Sequence, residues 1–284
     1  MATLPGRILS NGMQALIEKD PYRTGFLNLV VDGTPQSQVN PEDPTELGFE
    51  YIQRIGNVID LLAPERQAIT AVHLGAGALT LPRYIAATRP GSRQQVLELE
   101  PELVELVREH LPIPSGIRVR YGDARAGLGK LPAALRGAVD LVVVDIFSGS
   151  QIPPHVTSVE FYREVAALLA PAGVLAVNLA DGPGLTFARG QAATLSAVVG
   201  EVAALAETQI LKGRRFGNIV LVGSNSPLPL DWLPRLLAAG PHPAKAVAGR
   251  ELTDFIAGAP VVTDTSARPS PPPGRNFFAV DRGD

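Results

Sequence analysis

The sequence contains no cysteine, which excludes disulfide bonds, thiolate nucleophiles and cysteine-ligated metal sites. Histidine is also scarce. Its four copies, His73, His110, His155 and His242, lie too far apart along the chain to form a local metal-binding motif. We therefore expect no bound metal.

The sequence also has no large excess of either charge, since 25 basic and 28 acidic residues give a net charge of −3. The basic residues are scattered, so nothing indicates a nucleic-acid partner. No stretch reaches the roughly 18 uncharged apolar residues that a bilayer span needs. The first residues also lack the apolar core of a signal peptide. We expect a soluble cytoplasmic protein with no membrane partner.

Short strands come first in the chain. Residues 14–39 contain three short apolar segments separated by Gly- and Pro-containing turns, which predicts a small β-meander. Residues 43–62 then repeat apolar side chains at helical spacing behind a capping candidate, Asp43 or Thr45. We expect one helix between the meander and the main body.

From residue 69 onward, apolar strands alternate with helical segments. The strand candidates are 69–75, 94–100, 117–123, 139–145 and 173–179, and the helix candidates lie near 78–88, 101–110, 125–136, 157–170 and 185–206. This repeat predicts an α/β fold with a doubly wound, mostly parallel sheet. Two further candidates, 207–213 and 217–224, favour an antiparallel pair at one sheet edge. That order is typical of the Rossmann-like methyltransferase fold.

The chain therefore divides into three predicted parts. Residues 1–42 form an N-terminal β-strand domain, and residues 43–264 form the methyltransferase-like domain with its leading helix. Residues 265–284 are a Pro-rich tail, expected to be extended and linker-like, or to cover the site.

Ligands of doubly wound sheets bind beyond the carboxyl ends of the strands, so the residues at those ends are the candidates for a site. The first strand ends at Gly75 and Gly77, which permit a tight turn and a close approach to a ligand. The second ends at Glu98, 23 residues after Gly75, a spacing that suits hydrogen bonds from ribose hydroxyls. The third and fourth end at Asp123 and Asp145. Each acid has a local alternative as a cap or turn residue, but together they indicate an adenosine-containing ligand.

A dinucleotide such as NAD is the rival ligand. Its fingerprint requires Gly or Ala where this chain has Thr80, and it assigns no role to Asp145. The sequence therefore favours an adenosine-containing ligand other than NAD.

Six motifs, in this order, resemble the spermidine synthase family of aminopropyltransferases over about residues 14–222: LVVDGTPQ (29–36), HLGAG, LELEP, GDA, VVVDIFS and FY (161–162). The resemblance implies a small β-domain on a methyltransferase-like domain, assembled as a homodimer or larger. It also implies decarboxylated S-adenosylmethionine as co-substrate, with its aminopropyl group passing to a small amine such as putrescine.

The resemblance assigns roles to individual residues. Gln36 would face the sulfonium end of the nucleotide, and Glu98 would hold the ribose. Asp123 and the backbone of Ala124 would contact the adenine, and Asp145 matches the catalytic aspartate. A carboxylate within reach of the attacking amine can orient it and help remove its proton.

The chain also departs from the family. Ala78 and Ser148 stand where the family has aspartates, the first for the donor's ammonium group and the second for the diamine. Ser148 and Tyr51 are the candidates for the acceptor side, although the register among Phe49, Glu50 and Tyr51 stays open. Loss of the charge at Ala78 motivates an alternative, methyl transfer from S-adenosylmethionine itself. Loss of both charges motivates a third hypothesis, a nucleotide-binding homologue without catalysis.

Overall fold

The N-terminal part of the chain is a four-stranded antiparallel sheet. A computed structural model describes residues 6–239 and 242–273. Its first strands are β1 (Gly6–Ile8), β2 (Gln14–Lys19), β3 (Leu27–Val31) and β4 (Thr34–Val39), paired in that order. The predicted meander is confirmed, and β1 adds an edge strand that the sequence did not predict. Asp32 and Gly33 both have positive φ, as a tight hairpin turn between β3 and β4 requires.

An eight-stranded sheet forms the main body. Its strands are β5 (Thr70–Leu74), β6 (Arg93–Glu98), β7 (Ile117–Tyr121), β8 (Val139–Val144), β9 (Leu169–Asp181), β10 (Glu201–Ala206), β11 (Gly217–Ser224) and β12 (Lys245–Ala248). The order is β12-β10-β11-β9-β8-β5-β6-β7. The pairs from β7 to β9 are parallel, and those joining β9, β11, β10 and β12 are antiparallel. The predicted mostly parallel sheet with antiparallel edge strands is confirmed.

Helices cover both faces of this sheet. They are α1 (Glu50–Leu62), α2 (Thr80–Thr88), α3 (Pro101–His110), α4 (Ala124–Leu128), α5 (Val159–Ala166), α6 (Thr186–Ser196), α7 (Thr208–Leu211), α8 (Leu233–Ala239) and α9 (Gly249–Ile256). Helices α4, α5, α6 and α9 pack on one face, and α1, α2 and α8 pack on the other. The central strand β8 is buried on both sides, which explains its uninterrupted apolar run. Within the described residues, no helix is long and apolar enough to cross a bilayer.

The leading helix is shorter than the sequence predicts. It begins at Glu50, and the capping candidates Asp43 and Thr45 belong to a preceding turn. There the Asp43 carboxylate accepts hydrogen bonds from the backbone N–H and the hydroxyl of Thr45. Gly48, inside the predicted segment, has a low helix propensity, and the helix begins two residues after it.

Two other predicted helices are also wrong in part. The helix expected near 125–136 ends at Leu128, before Gly129 and Pro132. The segment expected as helix over 185–206 ends at Ser196, and its last part is strand β10. The predicted antiparallel edge pair exists, but it joins β10 to β11, whereas residues 207–213 contain helix α7 instead of a strand. The elements α8, β12 and α9 were not predicted.

The N-terminal sheet docks beside the carboxyl end of β6. Arg7 pairs with Glu105 and Glu109 on α3, and the backbone N–H and hydroxyl of Ser10 donate to the carboxylate of Glu100. Apolar side chains of β2, β3 and α3 form a shared core behind these contacts. This docking places β4 over the strand ends that the sequence singles out.

The Pro-rich segment is docked as far as the structure describes it. The backbone N–H of Ser270 donates to the carbonyl of Ile152 at 3.1 Å, and the Ile152 N–H donates to the Ser270 hydroxyl at 2.9 Å. Ser270 is fully buried. The expectation of a linker is therefore wrong for residues 265–273, while 274–284 lie outside the described residues. The three-part domain division stays a prediction.

Candidate functional site

A cavity of about 530 Å³ opens at the carboxyl ends of β5, β6 and β8, beneath the N-terminal sheet. Every residue that the sequence predicts for the site lines it: Gln36, Tyr51, Gly75, Gly77, Glu98, Asp123, Ala124, Asp145 and Ser148. The cavity is large enough for a nucleoside and a small second substrate.

The two loop glycines are required by packing. Gly75 has φ +95°, and a Cβ there would overlap the carbonyl oxygen of Asp145. Gly77 has φ +48°, and a Cβ there would overlap the hydroxyl of Ser37 in β4. Side chains other than hydrogen are strained at such φ values. The glycines thus let β5 lie against the backbone that carries Asp145, and let the N-terminal sheet close over the loop.

Asp145 lies at the centre of the cavity in a hydrogen-bonded chain. Its Oδ2 accepts from the Tyr51 hydroxyl at 3.1 Å, and its Oδ1 accepts from Nδ2 of Asn178 at 2.8 Å. Asn178 is held in turn by Nδ2 of Asn218 at 3.1 Å. Burial raises the pKa of Asp145, and the two hydrogen bonds offset part of that increase. The arrangement fixes the carboxylate and makes it a better proton acceptor than a solvated aspartate.

Glu98 braces the glycine loop at the end of β6. Its Oε2 accepts from the N–H of Ala76 at 2.8 Å, and its Oε1 accepts from the N–H of Glu100 at 3.0 Å. Burial raises the pKa of Glu98, despite these backbone donors. The N–H of Leu99 is a third backbone donor to this carboxylate. Three donors leave acceptor capacity that a ligand hydroxyl could use.

Asp123 caps α4 and contacts a histidine that the sequence did not single out. Its Oδ1 accepts from the N–H of Ala126 at 2.8 Å, and its Oδ2 lies 2.7 Å from Nε2 of His155. Burial opposes ionisation, but the bonds from Ala126 and His155 hold the pKa of Asp123 below its usual value. The predicted adenine-binding acid is thus an ionised acceptor, with His155 beside it.

The lining of the cavity is acidic. Five carboxylates line it, those of Glu50, Glu98, Glu100, Asp123 and Asp145. None of the described residues along its wall is a lysine or arginine. Such a wall attracts a cation and repels a carboxylate or a phosphate.

One histidine of the wall, His73, adds no charge at neutral pH, because burial lowers its pKa to about 4. Its ring hydrogen-bonds to Gln94.

The two positions that depart from the family, Ala78 and Ser148, lie in different environments. Ala78 is 1% exposed, belongs to the core shared with the N-terminal sheet and is not part of the cavity wall. Ser148 is exposed at the rim, where its N–H donates to the carbonyl of Gln151. Of the three residues whose register is open, Tyr51 is the one whose hydroxyl contacts Asp145. Neither departure supplies a charge.

Asn178 is the partner of Asp145 that the sequence analysis missed. It stands inside β9 between apolar neighbours and is 2% exposed. A buried amide in a strand core must find a hydrogen-bond partner. A single amide side chain within an apolar strand was the sequence feature that could have identified Asn178.

The structure also brings together one group of possible metal ligands within residues 6–239 and 242–273. Single ligand atoms of Glu50, Glu207 and His242 lie within 4.8 Å of one another. Arg215 and Arg54 place guanidinium groups 2.8 and 3.6 Å from the same Glu207 oxygen. Those charges already neutralise Glu207 and disfavour a cation between the three groups.

The fold and the cavity define the class: an α/β protein of the methyltransferase-like type, with an acidic cavity beyond its strand ends. No protein-family model matches the chain. A polyamine aminopropyltransferase of Vibrio vulnificus is 32% identical over 121 residues, which is 42% of this chain and 39% of the relative. The matched segments span 26% to 56% of the length of the curated relatives.

Solved structures extend this similarity over most of the chain. A probable spermidine synthase of Corynebacterium glutamicum superimposes with a TM-score of 0.83 at 29% identity, covering 93% of this chain and 97% of that one. Spermidine synthase of Thermotoga maritima shares the fold, with a TM-score of 0.58 at 14% identity over 80% of this chain and 75% of its own. The chain is thus similar to spermidine synthases, and the family resemblance predicted from its motifs is confirmed.

Proposed function

We propose that the chain is a transferase that moves the aminopropyl group of decarboxylated S-adenosylmethionine to a small amine. One observation carries the proposal: the cavity around Asp145 has five carboxylates and no lysine or arginine on its described wall. The donor is a sulfonium with an ammonium group, and the acceptor is an amine. Donor and acceptor are therefore both cationic before reaction, and an acidic wall without basic residues attracts cations.

The strand-end residues fit the nucleotide. Glu98 would accept hydrogen bonds from the ribose hydroxyls with its free lone pairs. Asp123 would accept one from the adenine amino group, and the N–H of Ala124 would contact the ring. Gln36 on β4 would face the sulfonium end. The support is that all four line one cavity.

The chemical step needs one base. The lone pair of the amine nitrogen attacks the methylene carbon next to sulfur, so that a C–N bond forms while the C–S bond breaks. The sulfur keeps the bonding electrons and leaves as the thioether of methylthioadenosine. The proton released by nitrogen passes to the carboxylate of Asp145 and then to solvent. The raised pKa of Asp145, caused by burial, favours this acceptance.

The acceptor class follows from the relatives' names and the wall. The curated relatives are named polyamine aminopropyltransferases. The proposal assigns the same class of acceptor, a small amine, to this chain. A homodimer and a cytoplasmic location stay predictions from the sequence.

Methyl transfer is the competing outcome. S-adenosylmethionine carries a carboxylate that needs a cationic partner, and the described wall supplies none. The test is to incubate the protein with either sulfonium compound and an amine, and to identify the nucleoside product by chromatography. Methylthioadenosine is expected. S-adenosylhomocysteine would overturn the proposal in favour of methylation, and no product would favour a non-catalytic homologue.

Asp145→Asn provides the test of the catalytic residue. We expect turnover to fall by at least about a hundredfold, a typical contribution of general base catalysis, with methylthioadenosine affinity unchanged. Asp140→Asn is the matched control on β8, the strand that leads to Asp145, because among the described residues the Asp140 Oδ2 accepts only a backbone N–H, that of Thr70. Full activity of the Asp145→Asn protein would contradict the assignment.

A further inference from the structure

Two amide side chains lead from Asp145 across the sheet. Asp145 follows β8, Asn178 lies on the neighbouring strand β9, and Asn218 lies on β11, the strand beyond. In the ladder between β9 and β11, Asn178 is opposite Val220, so Asn218 is its diagonal neighbour on the same face. Nδ2 of Asn218 donates to Oδ1 of Asn178 at 3.1 Å, and Nδ2 of Asn178 donates to Asp145 at 2.8 Å.

The amide of Asn178 can take two orientations. Its nitrogen donates and its oxygen accepts, so the partners on its two sides decide which atom faces which way. An ionised Asp145 only accepts, and it can therefore bond to Asn178 only through Nδ2. Oδ1 then points away from Asp145 and needs a donor, because Asn178 is 2% exposed. Nδ2 of Asn218 is that donor.

The opposite orientation of this amide would work against the transfer. With Oδ1 of Asn178 towards Asp145, the contact would be a hydrogen bond only if the carboxyl were protonated. A protonated Asp145 cannot take the proton of the attacking amine. The direction of one amide therefore decides whether Asp145 is ready to act as a base.

Few groups control the ionisation of Asp145. Burial raises its pKa, and the hydrogen bonds from Asn178 and Tyr51 lower it, with that from Asn178 the larger effect. Burial and the nearby carboxylate raise the pKa of Tyr51 on α1, so its hydroxyl stays a neutral donor. His73 on β5 is uncharged at neutral pH. The remaining titratable groups of the wall are Glu50, Glu98, Glu100, Asp123, His155 and His242.

Asn218 is itself held by its backbone. Nη1 of Arg54 on α1 donates to the carbonyl of Asn218 at 3.4 Å. The Arg54 side chain is 3% exposed, and its Nη2 lies 3.6 Å from Glu207. The backbone at Asn218 is thus joined to α1 as well as to β9, which fixes the position from which its amide donates.

We propose that Asn218 is a positioning residue for the transfer, which holds the amide of Asn178 with its nitrogen towards Asp145 so that the carboxylate meets the acceptor amine as a base. The inference rests on the proposed aminopropyl transfer. Asn218 acts through Asn178. Its loss should therefore change the pH dependence of turnover and leave the affinity for methylthioadenosine as it was.

The test is a double-mutant cycle on the pH profile of kcat/KM. Decarboxylated S-adenosylmethionine and 1,4-diaminobutane are the substrates, and methylthioadenosine release is the signal. The proteins are the unchanged chain, Asn178→Leu, Asn218→Leu and the double variant, because leucine keeps the branched shape of asparagine but neither donates nor accepts. We expect Asn178→Leu to move the acidic limb upward by about one pH unit, as loss of a hydrogen bond to a charged group implies. Asn218→Leu should move it by a smaller amount, and the double variant by no more than Asn178→Leu alone.

Asn218→Asp tests the direction of the amide. The new carboxylate only accepts, so Asn178 should turn its nitrogen towards it and its oxygen towards Asp145. The acidic limb should then move further upward than in Asn218→Leu. Combined with Asn178→Leu, the same substitution should lose most of this additional shift. An additional shift of equal size in both backgrounds would come from the added charge alone and would overturn the inference.

Gln191→Leu is the matched control. Gln191 is also a buried amide with two partners, the hydroxyl of Tyr162 and the carbonyl of Thr157, but it lies outside the cavity wall. Its acidic limb should stay in place, and an equal shift in Gln191→Leu would contradict the role of Asn218.

Three further results would overturn the assignment of Asn218. They are an unchanged acidic limb in Asn218→Leu, shifts that add in the double variant, and a loss of methylthioadenosine affinity in Asn218→Leu, which would show a merely structural role. In each case the unchanged protein still forms methylthioadenosine, so the proposed transfer stands. No release of methylthioadenosine by the unchanged protein would instead overturn the proposed function, and the assignment of Asn218 with it.

Discussion

At the scale of single residues, the hydroxyl of Tyr51 tunes the acid at the centre of the cavity. It donates to Oδ2 of Asp145 and so stabilises the charged carboxylate, against the burial that raises its pKa. Removing a hydrogen bond worth about 1 kcal/mol corresponds to about 0.7 pH unit. Tyr51→Phe should therefore raise the pKa of Asp145 further and move the acidic limb of the kcat/KM profile upward by that amount.

The sign of this shift follows from the role of Asp145 as a base. Only its ionised form accepts a proton, so activity is lost as pH falls through its pKa, and a higher pKa means loss at higher pH. Tyr84→Phe is the matched control, since the Tyr84 hydroxyl also donates to a carboxylate, that of Asp60, but outside the cavity wall. An acidic limb that stays in place in Tyr51→Phe, or that moves equally in both variants, would contradict the assignment.

The same scale shows which site residues the sequence could reveal. Glu98, Asp123 and Asp145 lie at or just after the ends of parallel strands, and strand ends of a parallel sheet meet at one edge. Asn178 could not be assigned, because its role depends on Asp145, which follows the neighbouring strand β8. Tertiary contacts determine which acidic side chains already accept hydrogen bonds from the protein, and the sequence alone does not show these contacts.

At the scale of elements, burial on both faces made β5 and β8 predictable from their apolar sequences, whereas helix propensity predicted the wrong structure for β10. The segment EVAALA is rich in good helix formers, yet it pairs with both β11 and β12. Two ladders and a buried environment outweigh the few tenths of a kcal/mol per residue that separate helix propensities. The docked C-terminal segment was missed for a related reason, since composition does not show that Ser270 pairs with Ile152.

Ser270 links that segment to the loop that forms the cavity rim. Its hydroxyl accepts the N–H of Ile152, and its carbonyl accepts from the side-chain amide of Gln151. Ser270→Ala leaves a buried N–H without its partner, at a cost of about 1–3 kcal/mol. We expect amide hydrogen exchange at Gln151 and Ile152 to become at least about fivefold faster, with nucleotide affinity unchanged.

Ser266→Ala is the control in the same segment, because the Ser266 hydroxyl bonds only to its neighbour Thr263 and is exposed. Exchange at the rim loop should stay as in the unchanged protein. If Ser270→Ala leaves the exchange of Ile152 unaltered as well, the segment does not hold the loop.

At the scale of the whole molecule, segments from both ends of the described chain close one cavity. Leu9 and Asn11 lie next to the first strand of the N-terminal sheet, Pro273 ends the docked C-terminal segment, and all three line the wall with the strand-end acids. A ligand that binds only the folded state at 100 times its Kd adds about 2.7 kcal/mol of stability. For a chain of this size that corresponds to an increase in Tm of roughly 5–10 °C.

Methylthioadenosine should therefore raise the Tm as a single transition and slow amide hydrogen exchange at residues 9–11 and at Arg268 and Ser270 together, since the other residues of 268–273 are prolines without an N–H. Both regions are far from each other in sequence, and the cavity is what they share. Glu98→Gln removes the charge proposed to hold the ribose, so the shift in Tm at the same ligand concentration should fall sharply while the fold persists. A rise in Tm with protection confined to the main sheet would show that the nucleotide binds without the N-terminal sheet, which would contradict the place proposed for Gln36.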